Sequence, residues 1–166
     1  EQLTLAEELS AGCAVNTAGA KGANWAGYYP DNLSGETYEL IVHTTRQIID
    51  AVKPSRTYFV LEAMPWAFPY SPDNYLKLMH DIDREAFAVH IDYTNNRNVY
   101  IEECFEKLGP YSKGGIHTKD IVLDDSIIPC CIKETLPGTG GIDFAHVLKQ
   151  AAMLEEKYGE AHILIE

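Results

Sequence analysis

Two kinds of hydrophobic pattern alternate along the chain. The first is a short apolar run bounded by turn or loop residues: Ala14 to Thr17, Thr57 to Glu62, Ala86 to Asp92, Gly115 to Thr118 and His162 to Glu166. Runs this short, without strict alternation, predict strands buried on both faces, as parallel strands are. The second pattern is longer and places apolar residues at helical spacing. One such stretch runs from about Ser34 to Val52 and carries Leu40, Ile41, Val42, Ile48, Ile49 and Val52. Others cover Pro72 to Ile82, Val99 to Leu108 and Asp143 to Tyr158.

The helix ends are marked by residue type. Ser34 and Asp143 are N-cap residues, and Ser71-Pro72 sets a capping hydroxyl before a proline at the first helical position. Leu108-Gly109-Pro110 and Tyr158-Gly159 read as stops. Strands alternating with helices predict a parallel sheet of right-handed βαβ units. Loops after the strands are long (Gly19 to Leu33, Ala63 to Tyr70, Asp120 to Ile142), whereas those before them are short. That asymmetry fits a (β/α)8 TIM-type barrel with its working loops at the C-terminal face.

Length changes the picture. The chain has 166 residues, against about 250 for a typical complete barrel. The expectation is therefore an incomplete barrel, with about the third to seventh strands of eight, forming one partial domain over residues 1–166. Gln2 to Ala6 reads like a helix interior and His162 to Glu166 like a strand that stops at its own end, so both termini look like cuts. Sheet edges left open by an incomplete barrel would favour a partner, so a homo-oligomer stays open.

Charge removes some functions. The net charge of −12, from 25 acidic and 13 basic residues, repels phosphate backbones and argues against nucleic-acid binding. No apolar run approaches the roughly 20 residues of a membrane span, so no membrane role is expected. Cys13, Cys104, Cys130 and Cys131 show neither zinc-type spacing nor a disulfide framework, which suits reduced thiols in a cytoplasmic protein.

Candidate chemistry lies at the strand ends. One run closes on Glu62, one on Asp92, one on His117-Thr118-Lys119-Asp120 and one on Glu166. In a barrel these positions converge on the mouth. Carboxylates gathered there repel one another in a low-dielectric site, and a divalent cation offsets that repulsion. Three carboxylates and one imidazole suit Mn²⁺, Mg²⁺ or Co²⁺ better than structural zinc. Each acid taken singly also reads as a helix cap or salt-bridge partner. His90 shares a face with Asp92, as a ligand, a substrate contact or a hydrogen-bonded core histidine. Trp25, Trp66, Asn95 and Lys119 are placed to meet a small polar ligand, the two tryptophans on the C–H face of a sugar or simply packing their loops, and Asn95 bonding a hydroxyl or instead holding a metal-ligating neighbour in place. The stretch Leu136 to Gly141 is glycine-rich, yet it lacks the Lys-Ser/Thr of a phosphate loop and reads as a turn.

These residues resemble the xylose-isomerase-like sugar isomerase/epimerase superfamily from about Ala11 to Glu166. The most specific parts are Leu61 to Trp66, His90 to Asn95, Ile116 to Asp120, Glu134 to Asp143 and Ile163 to Glu166. The resemblance implies that Glu62, Asp92, His117 and Glu166 bind one divalent metal, Mn²⁺ foremost. It further implies that Glu62 and Glu166 are the catalytic pair, exchanging a proton with the sugar through a metal-stabilised enediolate. Ketose epimerases of this type carry a histidine three residues past the aspartate, a glutamate six past the first ligand and an arginine six past the histidine ligand. Here those positions are Asn95, Phe68 and Leu123, so substrate contacts differ. The alternatives are a dehydratase, an abasic-site endonuclease, or a non-catalytic metal- and sugar-binding barrel.

Overall fold

The computed structural model describes residues 1–95, 100–124, 126, 131–159 and 161–165. A short helix α1 (Gln2–Glu8) leads into strand β1 (Cys13–Asn16), followed by α2 (Gly35–Val52), β2 (Tyr58–Leu61), α3 (Pro72–Ile82), β3 (Phe87–Asp92), α4 (Ile101–Leu108) and β4 (Ser112–Thr118). The chain then makes a hairpin of β5 (Asp120–Asp124) and β6 (Cys131–Thr135) before α5 (Phe144–Tyr158) and β7 (Ile163–Ile165). Five strands form one parallel sheet in the order β1-β2-β3-β4-β7, curled into a half-barrel. No described helix is long and apolar enough to cross a membrane.

The core lies between the sheet and the row of helices outside it. Phe59, Leu61, Phe87, Val89, Ile91 and Ile116 from the strands meet Ile41, Leu78, Ile82, Phe105, Leu108 and Val147 from the helices. Each such side chain contributes about 1.5–3 kcal/mol when taken from water. All six residues of β3 are buried, as a central parallel strand requires. The capping residues do what their types predict. Ser34, Ser71 and Asp143 accept the backbone N–H of Thr37, Asn74 and His146 at 3.2, 3.3 and 3.0 Å.

At the N-terminal side of the sheet, Glu7 ties α1 to the start of β2. Its carboxylate accepts the N–H groups of Ser55, Arg56 and Thr57 at 2.9, 3.3 and 3.0 Å and the Ser55 hydroxyl at 2.6 Å. The Ser55 hydroxyl and N–H do most to bring its pKa down to about 2.

Three details differ from the sequence pattern. The stretch Asp120 to Ile142, read as a loop, contains the antiparallel β5–β6 pair, in register from Asp120↔Thr135 to Asp124↔Cys131. Leu123 and Ile132 stay exposed on it, so no buried face announced strands. The helix expected from Val99 begins at Ile101, and Val99 lies outside the described residues. Gly109-Pro110 does not end the coil at once, because a 3-10 turn continues through Tyr111.

Candidate functional site

Strand ends bring the chemistry together. Glu62 follows β2 directly, and its N–H donates to Asn16 O on β1 at 2.8 Å. Asp92 closes β3 and pairs in register with His117 on β4. Glu62 Oε1 lies 3.1 Å from His117 Nδ1. The rings of His117 and His90 meet edge to face, with centroids 4.0 Å apart. Glu62, His90 and His117 thus bring one donor atom each within 4.8 Å of one another. Such a set matches the span of one cation's coordination sphere, and a carboxylate with two imidazoles suits a divalent transition metal.

His90 is a hydrogen-bonded core histidine that also stands among the convergent donors. It is completely buried, and its Nδ1 lies 2.9 Å from Gly114 O. Donation to that carbonyl makes Nε2 the basic nitrogen, the arrangement that orients metal-bound histidines. Gly114 is needed for this approach, since a Cβ there would stand 3.0 Å from both His90 Cβ and Val60 Cγ2.

Asp92 stands beside this trio. Its Oδ1 accepts Thr94 N–H at 3.0 Å, the Thr94 hydroxyl at 2.7 Å and Asn95 N–H at 3.1 Å, closing the turn after β3. Its Oδ2 accepts Asn95 Nδ2 at 2.9 Å, pairs with Lys119 Nζ at 3.1 Å and lies 4.0 Å from His117 Nδ1. Asn95 and Lys119 both hold Asp92, which for Asn95 is one of its two expected places. Lys119 is 5% exposed and also reaches Glu134 at 3.5 Å. Trp25 and Trp66 pack against each other edge to face, with centroids 5.7 Å apart. Glu166 lies outside the described residues. A cavity of about 460 Å³ opens between the end of β1 and α2, lined by Asn16, Lys21, Thr37 and Leu61, and the trio is not on its wall.

Sequence reasoning missed two structural roles here. Asp120, read with the acids of the mouth, is filled by its own chain. Its Oδ1 accepts the N–H groups of Ile121 and Ile142 at 2.9 and 3.0 Å, and its Oδ2 those of Gly138 and Gly140 at 3.0 and 2.7 Å. The glycine-rich loop does cradle an anion, and the anion is Asp120. An acid shortly upstream of a glycine-rich loop without a phosphate-loop lysine was the available signal. Asn32, 1% exposed, links two mouth loops by accepting Lys21 N–H at 2.7 Å and donating to Trp66 O at 3.1 Å.

Against this geometry, the family model for the xylose isomerase-like TIM barrel matches residues 1–166. The chain belongs to that family. Solved structures of the same architecture agree. A xylose isomerase-like TIM barrel protein from Mycobacterium smegmatis, in complex with magnesium, superposes with a TM-score of 0.70 at 16% identity, over 99% of this chain and 57% of its own. A probable 3-DHS dehydratase from Bacillus anthracis gives 0.75 at 17%, over 99% and 61%. D-psicose 3-epimerase from Clostridium cellulolyticum H10, with D-tagatose, gives 0.68 at 15%, over 98% and 52%. The chain thus spans a little over half the length of these family members, and at such identities the likeness speaks for the fold. No curated protein sequence matches the chain.

Proposed function

We propose that residues 1–166 form one partial-barrel domain carrying a divalent-metal site for proton transfer on a small sugar, as an isomerase or epimerase. The observation that carries this reading is the convergence of Glu62, His90 and His117 within 4.8 Å. In the proposal these three hold the cation, Mn²⁺ first, with Asp92 beside them and Glu166 completing the acidic set. The structural neighbours support it, since one is a magnesium complex and another a ketose epimerase.

The cation, when bound, supplies the positive charge that an enediolate needs as it forms next to a carbonyl. Glu62 takes the carbon-bound proton. The residue is only 8% exposed, so little water competes for the carboxylate. Glu166 is the residue proposed to return a proton. Lys119 balances the charge of buried Asp92, and the Trp25–Trp66 pair offers an aromatic face to the C–H side of the sugar. A dehydratase would begin with the same proton removal. Asn95, bonded to Asp92 where ketose 3-epimerases carry a histidine, keeps that second reading in play.

The test is a panel of aldoses, ketoses and their phosphates in deuterated water, with Mn²⁺ and with a chelator. Mn²⁺-dependent deuterium entry at the carbon beside the carbonyl, with an isomer as product, is the expected result. Deuterium entry with water loss would move the protein to the dehydratases. Mn²⁺ binding without exchange on any sugar would sink the catalytic reading and leave a binding barrel.

A further inference from the structure

Tyr75 lies on the face of α3 turned to the sheet and is completely buried, its ring against Phe87 with centroids 6.1 Å apart. Its hydroxyl reaches four backbone groups. It accepts the N–H of Leu61 at 3.1 Å and of His90 at 3.3 Å, and faces Leu61 O and, at 3.2 Å, Ala88 O as donor. The register Leu61↔Val89 makes these four groups a single rung of the β2–β3 ladder. In a parallel pair of that register, Leu61 N–H faces Ala88 C=O, and Leu61 C=O faces His90 N–H. One hydroxyl carries one proton and two lone pairs, so it can accept both N–H groups while donating to one carbonyl.

The place of this rung matters. Glu62, one residue on, turns its N–H to Asn16 O on the opposite side. The next side chains on the two strands, Glu62 and His90, are two of the three convergent donors. We infer that Tyr75 is a positioning residue whose hydroxyl seats the last β2–β3 rung and so sets the spacing of Glu62 and His90. A purely packing role is served equally well by a phenylalanine, and it gives no reason for the hydroxyl to meet every polar group of one rung. Burial drives the hydroxyl pKa up, so the group stays a neutral donor. The consequence for function rests on the metal reading proposed above, whereas the spacing itself does not.

Two measurements on the intact protein separate the claims. In crystals of Tyr75→Phe, the donor atoms of Glu62, His90 and His117 should no longer all fall within the 4.8 Å seen here. By calorimetric titration, Mn²⁺ affinity should fall ~10–100-fold, the usual effect of losing a group that orients ligands. Thr57→Val is the control, since it removes another buried hydroxyl of the sheet, bonded to Ala11 O at 2.7 Å at the far end of β2. It should keep wild-type affinity. Unchanged donor spacing in Tyr75→Phe, or an equal loss of affinity in Thr57→Val, overturns the inference. If the wild type binds no Mn²⁺, the metal reading falls and the crystallographic spacing alone judges Tyr75. If Tyr75→Phe does not fold, amide exchange in the wild type decides. Mg²⁺ should slow exchange at Leu61 and His90 relative to Thr57, and equal rates count against the coupling.

Discussion

Glu62 stands just past β2 and Asp120 just past β4, and exposures of 8% and 0% leave both nearly dry. They differ in what their oxygens meet. Glu62 faces an imidazole at 3.1 Å and helps form a three-donor cluster. Asp120 accepts four backbone N–H groups, one from Ile121 beside it and three from a loop that returns some twenty residues later. An anion surrounded by N–H donors is complete as structure, because nothing further is needed to stabilise its charge. An anion facing imidazoles is poised for a cation. An acid at a strand end is thus not a site in itself; its partners decide which kind it is.

Glu62→Gln breaks this contrast most sharply. The amide keeps shape but cannot take a proton, so the substrate–solvent exchange rate should fall ~10²–10⁴-fold, the span of a lost general base. Circular dichroism should show an unchanged fold. An exchange rate within twofold of wild type would remove Glu62 as the base. Lys119→Met probes the acid between the two extremes, Asp92. At an effective dielectric of ~20, unit charges ~4 Å apart interact by about 4 kcal/mol. Relieving even a third of such like-charge repulsion should tighten Mn²⁺ binding about tenfold. Weaker binding in a titration would show instead that Lys119 holds Asp92 in place for the cation.

Local signals made much of the fold legible. Ser71-Pro72 marks a helix whose bounds, Pro72–Ile82, agree with the spacing of its apolar residues, because a cap and a proline act within one turn. The ends of β2 and β3 were legible because acids are out of place in buried apolar runs. What the sequence could not announce is long-range. The partners of Asp120 at Gly138, Gly140 and Ile142 depend on the hairpin folding back. Tyr75 was one more apolar position on a helical stripe, and only the sheet reveals what its hydroxyl meets. His90 was divided between core and ligand because both readings need burial, and its bond to Gly114 O and contact with the His117 ring are long-range features that no local pattern announces.

Gly140→Ala sharpens the structural half of the comparison. A Cβ there would sit 2.3 Å from Asp120 Oδ1 and 2.6 Å from Ile121 O. Both neighbours are fixed by the clasp itself, so neither can give way cheaply. The melting temperature should fall by at least ~4 °C. Deuterium exchange on the sugar should change less than in Glu62→Gln. A variant that melts with the wild type would mean that the loop can move away from Asp120 at no cost.

The smallest effect is in pH. Burial pushes the pKa of Asp120 up, but the N–H groups of Ile142, Gly140, Ile121 and Gly138 outweigh it, and the net shift is downward. Glu7, at the opposite end of the sheet, is likewise brought down to about 2, chiefly by Ser55. A carboxylate with a lowered folded pKa stabilises the fold fully above its unfolded value, about 3.9 for Asp and 4.3 for Glu. That contribution is lost as pH falls through the folded pKa. Wild-type melting temperature should therefore be flat near neutrality and drop between about pH 5 and 2. Asp120→Asn sets an amide N–H₂ against N–H donors, so it should melt lower at pH 7, with the gap to wild type narrowing on acidification. Glu7→Gln should narrow in the same way but start from a smaller gap, since its partners lie nearer to solvent. A gap that stays constant from pH 7 to 3 in both variants would mean that these carboxylates hold the chain by shape rather than by charge.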